Sequence, residues 1–84
     1  MRHTAAPDFW TCFEKLPKSV QDLARKNFEL LKGDTTHASL HFKKVGKYLS
    51  VRIGLRYRAL GVEIPEGVLW FWIGPHADYD KLVN

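Results

Sequence analysis

Apolar residues recur at helical spacing along the first third of the chain and at the two-residue spacing of strands along the rest. Phe9, Trp10, Phe13 and Leu16 fall close to one side of a helix, with Pro7 and Asp8 placed where a helix start accepts or favours them. Pro17 stops that helix and can open the next. In the second helix Val20, Leu23, Ala24, Asn27, Phe28 and Leu31 define one face, while Gln21, Asp22, Arg25, Lys26, Glu29 and Lys32 fall elsewhere. Gly33 is expected to end it as a C-terminal cap. Two helices joined at Leu16-Pro17 make a hairpin whose aromatic stripe needs a cover, and the only segment able to provide one is the sheet that follows.

After a loop at residues 33–36, Leu40 and Phe42 alternate with His41 and Lys43, which predicts a half-buried strand. Val45-Gly46-Lys47 turns the chain. From Tyr48 to Leu55 the alternation resumes, with Leu49, Val51, Ile53 and Leu55 on one face and Tyr48, Ser50 and Arg52 on the other. Tyr57 to Ile64 reads as a third strand, and Pro65-Glu66-Gly67 turns into the run Val68-Leu69-Trp70-Phe71-Trp72-Ile73. That run is apolar on both parities, as in an inner strand covered on both faces. Helices followed by strands predict an α+β fold, a helical hairpin packed on a small, mainly antiparallel sheet of three to four strands. There is no repeat and no linker, so residues 1–84 read as one domain.

Composition adds charge to this picture. Thirteen Lys and Arg against nine Asp and Glu give a net charge of +4, and residues 41–58 hold six Lys or Arg, together with His41, and no acid. Such a stretch suits a nucleic-acid backbone, an acidic protein segment or an anionic surface, although lysines on an edge strand also discourage aggregation. No apolar run approaches the roughly 18 residues of a membrane span, and the segment up to Cys12 lacks the features of a signal peptide, so a cytoplasmic location with no membrane partner is expected. Cys12 is the single cysteine and reads as a small packing residue.

Most site chemistries find no signal. His37 and His41 have no acidic or thiol companion for a metal, and Ser39 and Ser50 lie in no nucleophile elbow. No glycine-rich phosphate loop or dinucleotide fingerprint is present, so neither metal nor cofactor is expected. What remains is Arg52, Arg56 and Arg58 at two adjacent strand ends, and Gly74-Pro75-His76-Ala77-Asp78-Tyr79 just beyond the apolar strand.

These residues carry a resemblance. Ser50-Val51-Arg52-Ile53-Gly54 followed by Tyr57-Arg58 resembles the R-x-G-x-Y-R hairpin of RelE/ParE-superfamily toxins. Ile73-Gly74-x-His76 followed by Tyr79 resembles their I-G-x-H-x-x-Y segment, and Phe9 to Pro17 is similar to their helical F-x-x-x-F-x-x-L-P opening. The chain departs from that pattern twice: it has one more residue between the matched arginines, and little room for the family's N-terminal strand, which is expected to be very short or absent.

The resemblance implies a toxin of a type II toxin-antitoxin module, with a cognate antitoxin as partner. RelE-type members cleave messenger RNA on the ribosome without a metal, through attack of a ribose 2′-hydroxyl on the adjacent phosphate. That reaction needs a base, cations for the building charge, and an acid for the leaving oxygen. By resemblance, Arg52 and Arg58 would hold the phosphate, His76 would move the proton, and Tyr79 would stack on a base or hydrogen-bond the phosphate. Lys43, Lys44, Lys47 and Arg56 would follow the RNA backbone. ParE-type members instead poison DNA gyrase without enzymatic activity. The plainer alternatives are an exposed or capping His76, a Tyr79 that belongs to the core of a C-terminal helix, and an ordinary sheet-edge Arg58.

Overall fold

The computed structural model describes residues 2–34 and 36–83. In chain order these form β1 (Arg2–Ala5), α1 (Pro7–Glu14), α2 (Lys18–Gly33), a 3-10 turn (Ala38–Leu40), β2 (Lys43–Val45), β3 (Tyr48–Ile53), β4 (Tyr57–Ile64), β5 (Gly67–Pro75) and α3 (His76–Val83). The sheet runs β1-β5-β4-β3-β2, parallel between β1 and β5 and antiparallel elsewhere.

The α+β class and the helical hairpin agree with the sequence reading, but the sheet has five strands rather than three to four. The added strand is β1, and four residues suffice because it borrows its hydrogen bonds from β5. Arg2 lies opposite Gly67 and Ala5 opposite Trp70, and the backbone N–H groups of Arg2 and Ala6 donate to Glu66 and Trp70. Gly67, at φ 152°, makes this approach possible, since a Cβ there would collide with the backbone of Arg2.

Helices α1 and α2 cover one face of the sheet. Phe9 and Phe13 of α1, together with Ala24 and Leu31 of α2, meet Val51, Ile53, Ala59, Val68, Trp70 and Ile73 in a single core. Phe28 packs edge-on against both Phe9 and Trp70, with ring centroids 5.6 and 5.4 Å apart, a geometry that aromatic quadrupoles favour. Trp10, expected within the stripe, turns out half-exposed, because one residue on from Phe9 the helix has rotated by about 100°. Cys12 packs against this core as expected.

Three local expectations are corrected. Leu40 is buried but sits in the 3-10 turn, and the following strand is confined to Lys43–Val45. His37 takes the cap position of that turn, its Nδ1 accepting the backbone N–H of Ser39 at 3.3 Å, and a left-handed His41 ends it. Strand β3 ends at Ile53, because Gly54 takes φ 65° and swings Leu55 into solvent at 82% exposure. Gly33 does not form a left-handed cap; Asp34 closes α2 in extended conformation by donating its N–H to the Leu30 carbonyl.

Candidate functional site

The register of β3 on β4 places Arg52 directly opposite Arg58, on the sheet face turned away from α1 and α2. This face is not bare: Ser50 and Leu60, which share it, are buried at 1% and 0%. Tyr48 and Phe71 lie over it with ring centroids 5.5 Å apart. The burial of Ser50 departs from its expected polar-side setting.

Helix α3 completes the site from the end of β5. The backbone N–H of His76 donates to the Arg56 carbonyl at 2.8 Å, which ties the first residue of α3 to the β3–β4 turn. Gly74, opposite Arg58, has no room for a side chain because Trp72 fills that space. Within α3 the rings of His76 and Tyr79 lie 5.6 Å apart, and the Arg58 guanidinium sits 6.0 Å from the Tyr79 centroid. The four residues picked out by resemblance, Arg52, Arg58, His76 and Tyr79, therefore converge, although they span three elements.

Their electrostatics are lopsided toward positive charge. Among the described residues neither Arg52 nor Arg58 forms an ion pair with a carboxylate. Burial first, and then the neighbouring Arg52, push the Arg58 guanidinium below its ordinary titration range, yet an arginine remains charged at any physiological pH. Nη1 of Arg58 donates to the Tyr57 carbonyl at 2.8 Å, fixing one end of the fork. Two guanidiniums without a carboxylate ion pair, on a partly dry surface, have the chemistry that could hold a phosphate or carboxylate.

The remaining basic residues divide. Lys43, opposite Ser50, shares the arginine face, and Lys47 lies 5.4 Å over the Tyr48 ring beside it. Lys44 pairs with Leu49 and so belongs to the other face, which separates it from the arginines. Arg56 is in the exposed β3–β4 turn, joined to the site through its backbone carbonyl.

Two residues absent from the sequence reading of the site contribute to it. Asn27, grouped there with the apolar face of α2, is 8% exposed and donates its side-chain N–H to the Arg52 carbonyl at 3.1 Å. A polar residue within an otherwise apolar stripe was the available signal. Asp80 stands 3.1 Å from Nδ1 of His76, one helical turn along α3.

A cavity of about 460 Å³ lies away from this cluster, between β1, α1 and α2, where Phe9, Trp10, Phe28 and Trp70 line it. Its lining also carries His3, Arg25, Glu29 and Lys32, but none of the four residues named from the toxin motifs. Among the described residues no three His, Cys, Asp or Glu side chains gather as metal ligands, and no helix is long and apolar enough to cross a membrane.

Known proteins share this architecture. The toxin chain fold seen in the crystal structure of the RelB-RelE antitoxin-toxin complex from Methanococcus jannaschii superposes with a TM-score of 0.74 at 13% identity, over 96% of this chain and 99% of that one. No curated protein sequence matches the chain. The profile of the ParE-like toxin domain matches residues 18–81, from the start of α2 into α3 and across the whole arginine hairpin. The chain belongs to the ParE-like toxin domain family, within the RelE/ParE toxin superfamily.

Proposed function

We propose that this toxin is a metal-independent endoribonuclease that cleaves messenger RNA on the ribosome, in the cytoplasm, and that a cognate antitoxin neutralises it. The carrying observation is the Arg52–Arg58 pair, placed opposite one another without a carboxylate and joined through Tyr79 to His76. In this reading the two guanidiniums hold the scissile phosphate and take up charge as it becomes pentacoordinate. The 2′-oxygen forms a bond to phosphorus as the bond to the 5′-oxygen breaks. His76 takes the 2′-hydroxyl proton or supplies one to the leaving oxygen. Tyr79 backs Arg58, while Lys43, Lys47 and Arg56 follow flanking phosphates; Lys44, on the other face, is left with a lesser part.

The antitoxin reading draws on the matched archaeal complex, which is an antitoxin-toxin pair. An acidic segment laid across residues 41–58 would cover the arginines, and its association would slow as salt rises.

A second reading has its own support. Tyr79 is only 6% exposed, a core-like setting for a residue meant to stack on RNA, and the matching family profile bears the name of ParE. A ParE-like protein would bind and poison DNA gyrase with no need of His76. Mapping transcript ends after brief induction separates the two: new 5′ ends in wild type, lost in His76→Ala, fit the nuclease. Growth arrest with intact transcripts and DNA damage would replace it with the gyrase reading.

A further inference from the structure

We propose that Asp80 is a positioning residue for His76, holding its Nδ1–H so that Nε2 is the nitrogen left to exchange a proton with the substrate. The inference rests on the ribonuclease reading above and adds to it a residue that reading does not use.

The geometry is local and specific. Oδ2 of Asp80 lies 3.1 Å from Nδ1 of His76, with both side chains about half-exposed. At that distance an ionised carboxylate, which can only accept, favours the tautomer with hydrogen on Nδ1, and a neutral ring then presents its lone pair at Nε2. The residue is held on two further counts: its backbone N–H donates to the Arg56 carbonyl, and its ring lies 5.6 Å from that of Tyr79, which in turn sits 6.0 Å from the Arg58 guanidinium. Nε2 is the only ring nitrogen not committed to this arrangement.

Charge adds a second reason. His76 opens α3, so its ring sits at the positive end of the helix dipole. Asp80, with Asp78 on the same helix, supplies the opposing charge there. The logic is that of a carboxylate that orients a histidine without itself taking the proton. An exposed pair four residues apart contributes little to stability, so the test reads the ring itself.

The full chain, made by cell-free synthesis with 15N-histidine, is examined by long-range 1H–15N correlation in wild type, Asp80→Ala and Asp80→Glu. Messenger RNA cleavage is measured on programmed ribosomes for the same three proteins. The Nδ1–H tautomer of His76 should dominate in wild type, give way to Nε2–H in Asp80→Ala, and recover in Asp80→Glu. The alanine variant should lose at least about tenfold in kcat with KM unchanged, the pattern of a proton-transfer group wrongly presented. A cleaving chain whose tautomer and kcat ignore Asp80→Ala overturns the Asp80 proposal alone. A wild-type chain that cleaves nothing, whatever its tautomer, overturns the ribonuclease reading and the positioning role with it.

Discussion

Arg52 and Arg58 face each other across β3 and β4, two like charges in directly opposed cross-strand positions. Such a pair works against the sheet that carries it, and partial burial of Arg58 adds to the cost. Asp80 draws Arg58 the other way without forming an ion pair with it, and the function proposed above gives the two arginines a use, as the groups that meet an incoming phosphate.

Arg58→Ala is therefore predicted to abolish growth arrest while leaving stability within about 0.5 kcal/mol of wild type or slightly above it. Arg58→Lys should recover little activity, because an ammonium cannot reproduce the guanidinium fork. Plating after induction and thermal melting of the purified protein read the two effects. An alanine variant that melts far below wild type would assign Arg58 to the fold.

Asn27 gives a prediction that couples the helix to the site. Its side-chain N–H is the donor to the Arg52 carbonyl, so Asn27→Ala should cost about 1–2 kcal/mol and loosen Arg52 relative to Arg58. Toxicity should weaken by more than that stability loss explains when expression is matched. Full toxicity in a clearly destabilised variant would show that the bond serves packing only.

His3 makes stability depend on pH. Trp70 donates its indole N–H to Nδ1 of His3 at 3.1 Å, which leaves the ring proton on Nε2, buried and without a partner among the described residues. Burial above all holds this imidazole below its ordinary titration range, so the unfolded chain binds the proton more readily than the folded one. The contribution is complete above about pH 6.5 and is lost as pH falls through the unfolded and then the folded range. His3→Asn keeps an acceptor for Trp70 without titrating there, and should show a smaller fall in Tm between pH 7 and 5 than wild type. Parallel Tm profiles for the two proteins would rule this out.

Gly67→Ala tests the docking of β1. The new Cβ meets the Arg2 backbone, and φ at this position suits glycine, so a loss of about 1–3 kcal/mol is expected. Hydrogen exchange should accelerate first at residues 2–6, where β1 and its continuation donate to residues 66–70. Uniform acceleration across the chain would mean that β1 is not a separable unit.

The periodic segments were legible from the sequence because each buries one face by a rule that acts within the segment. Phe9, Phe13, Ala24 and Leu31 at helical spacing, and Val51 with Ile53 at strand spacing, lie in the core as that spacing requires. The arginine, histidine and tyrosine candidates could be named because the motifs that resemble those of RelE/ParE toxins are short continuous stretches of sequence. Segments without a pattern of their own, or with a misleading one, had to wait for tertiary structure. Strand β1 has only four residues and exists through the bonds that β5 offers it, while the alternation of Leu40 with Phe42 mimics a strand where the chain makes a 3-10 turn with Leu40 buried. Which lysines join the arginines was also out of reach, because facing depends on register: one step along β2 moves Lys44 to the opposite side from Lys43. Asp80, four residues from His76, and Arg52 with Arg58 in one hairpin are local neighbours. The approach of Tyr79 and His76 to that hairpin, and the bond from Asn27 to Arg52, were decided instead by the return of α3 and the packing of α2, contacts between residues far apart in the chain that no local spacing encodes.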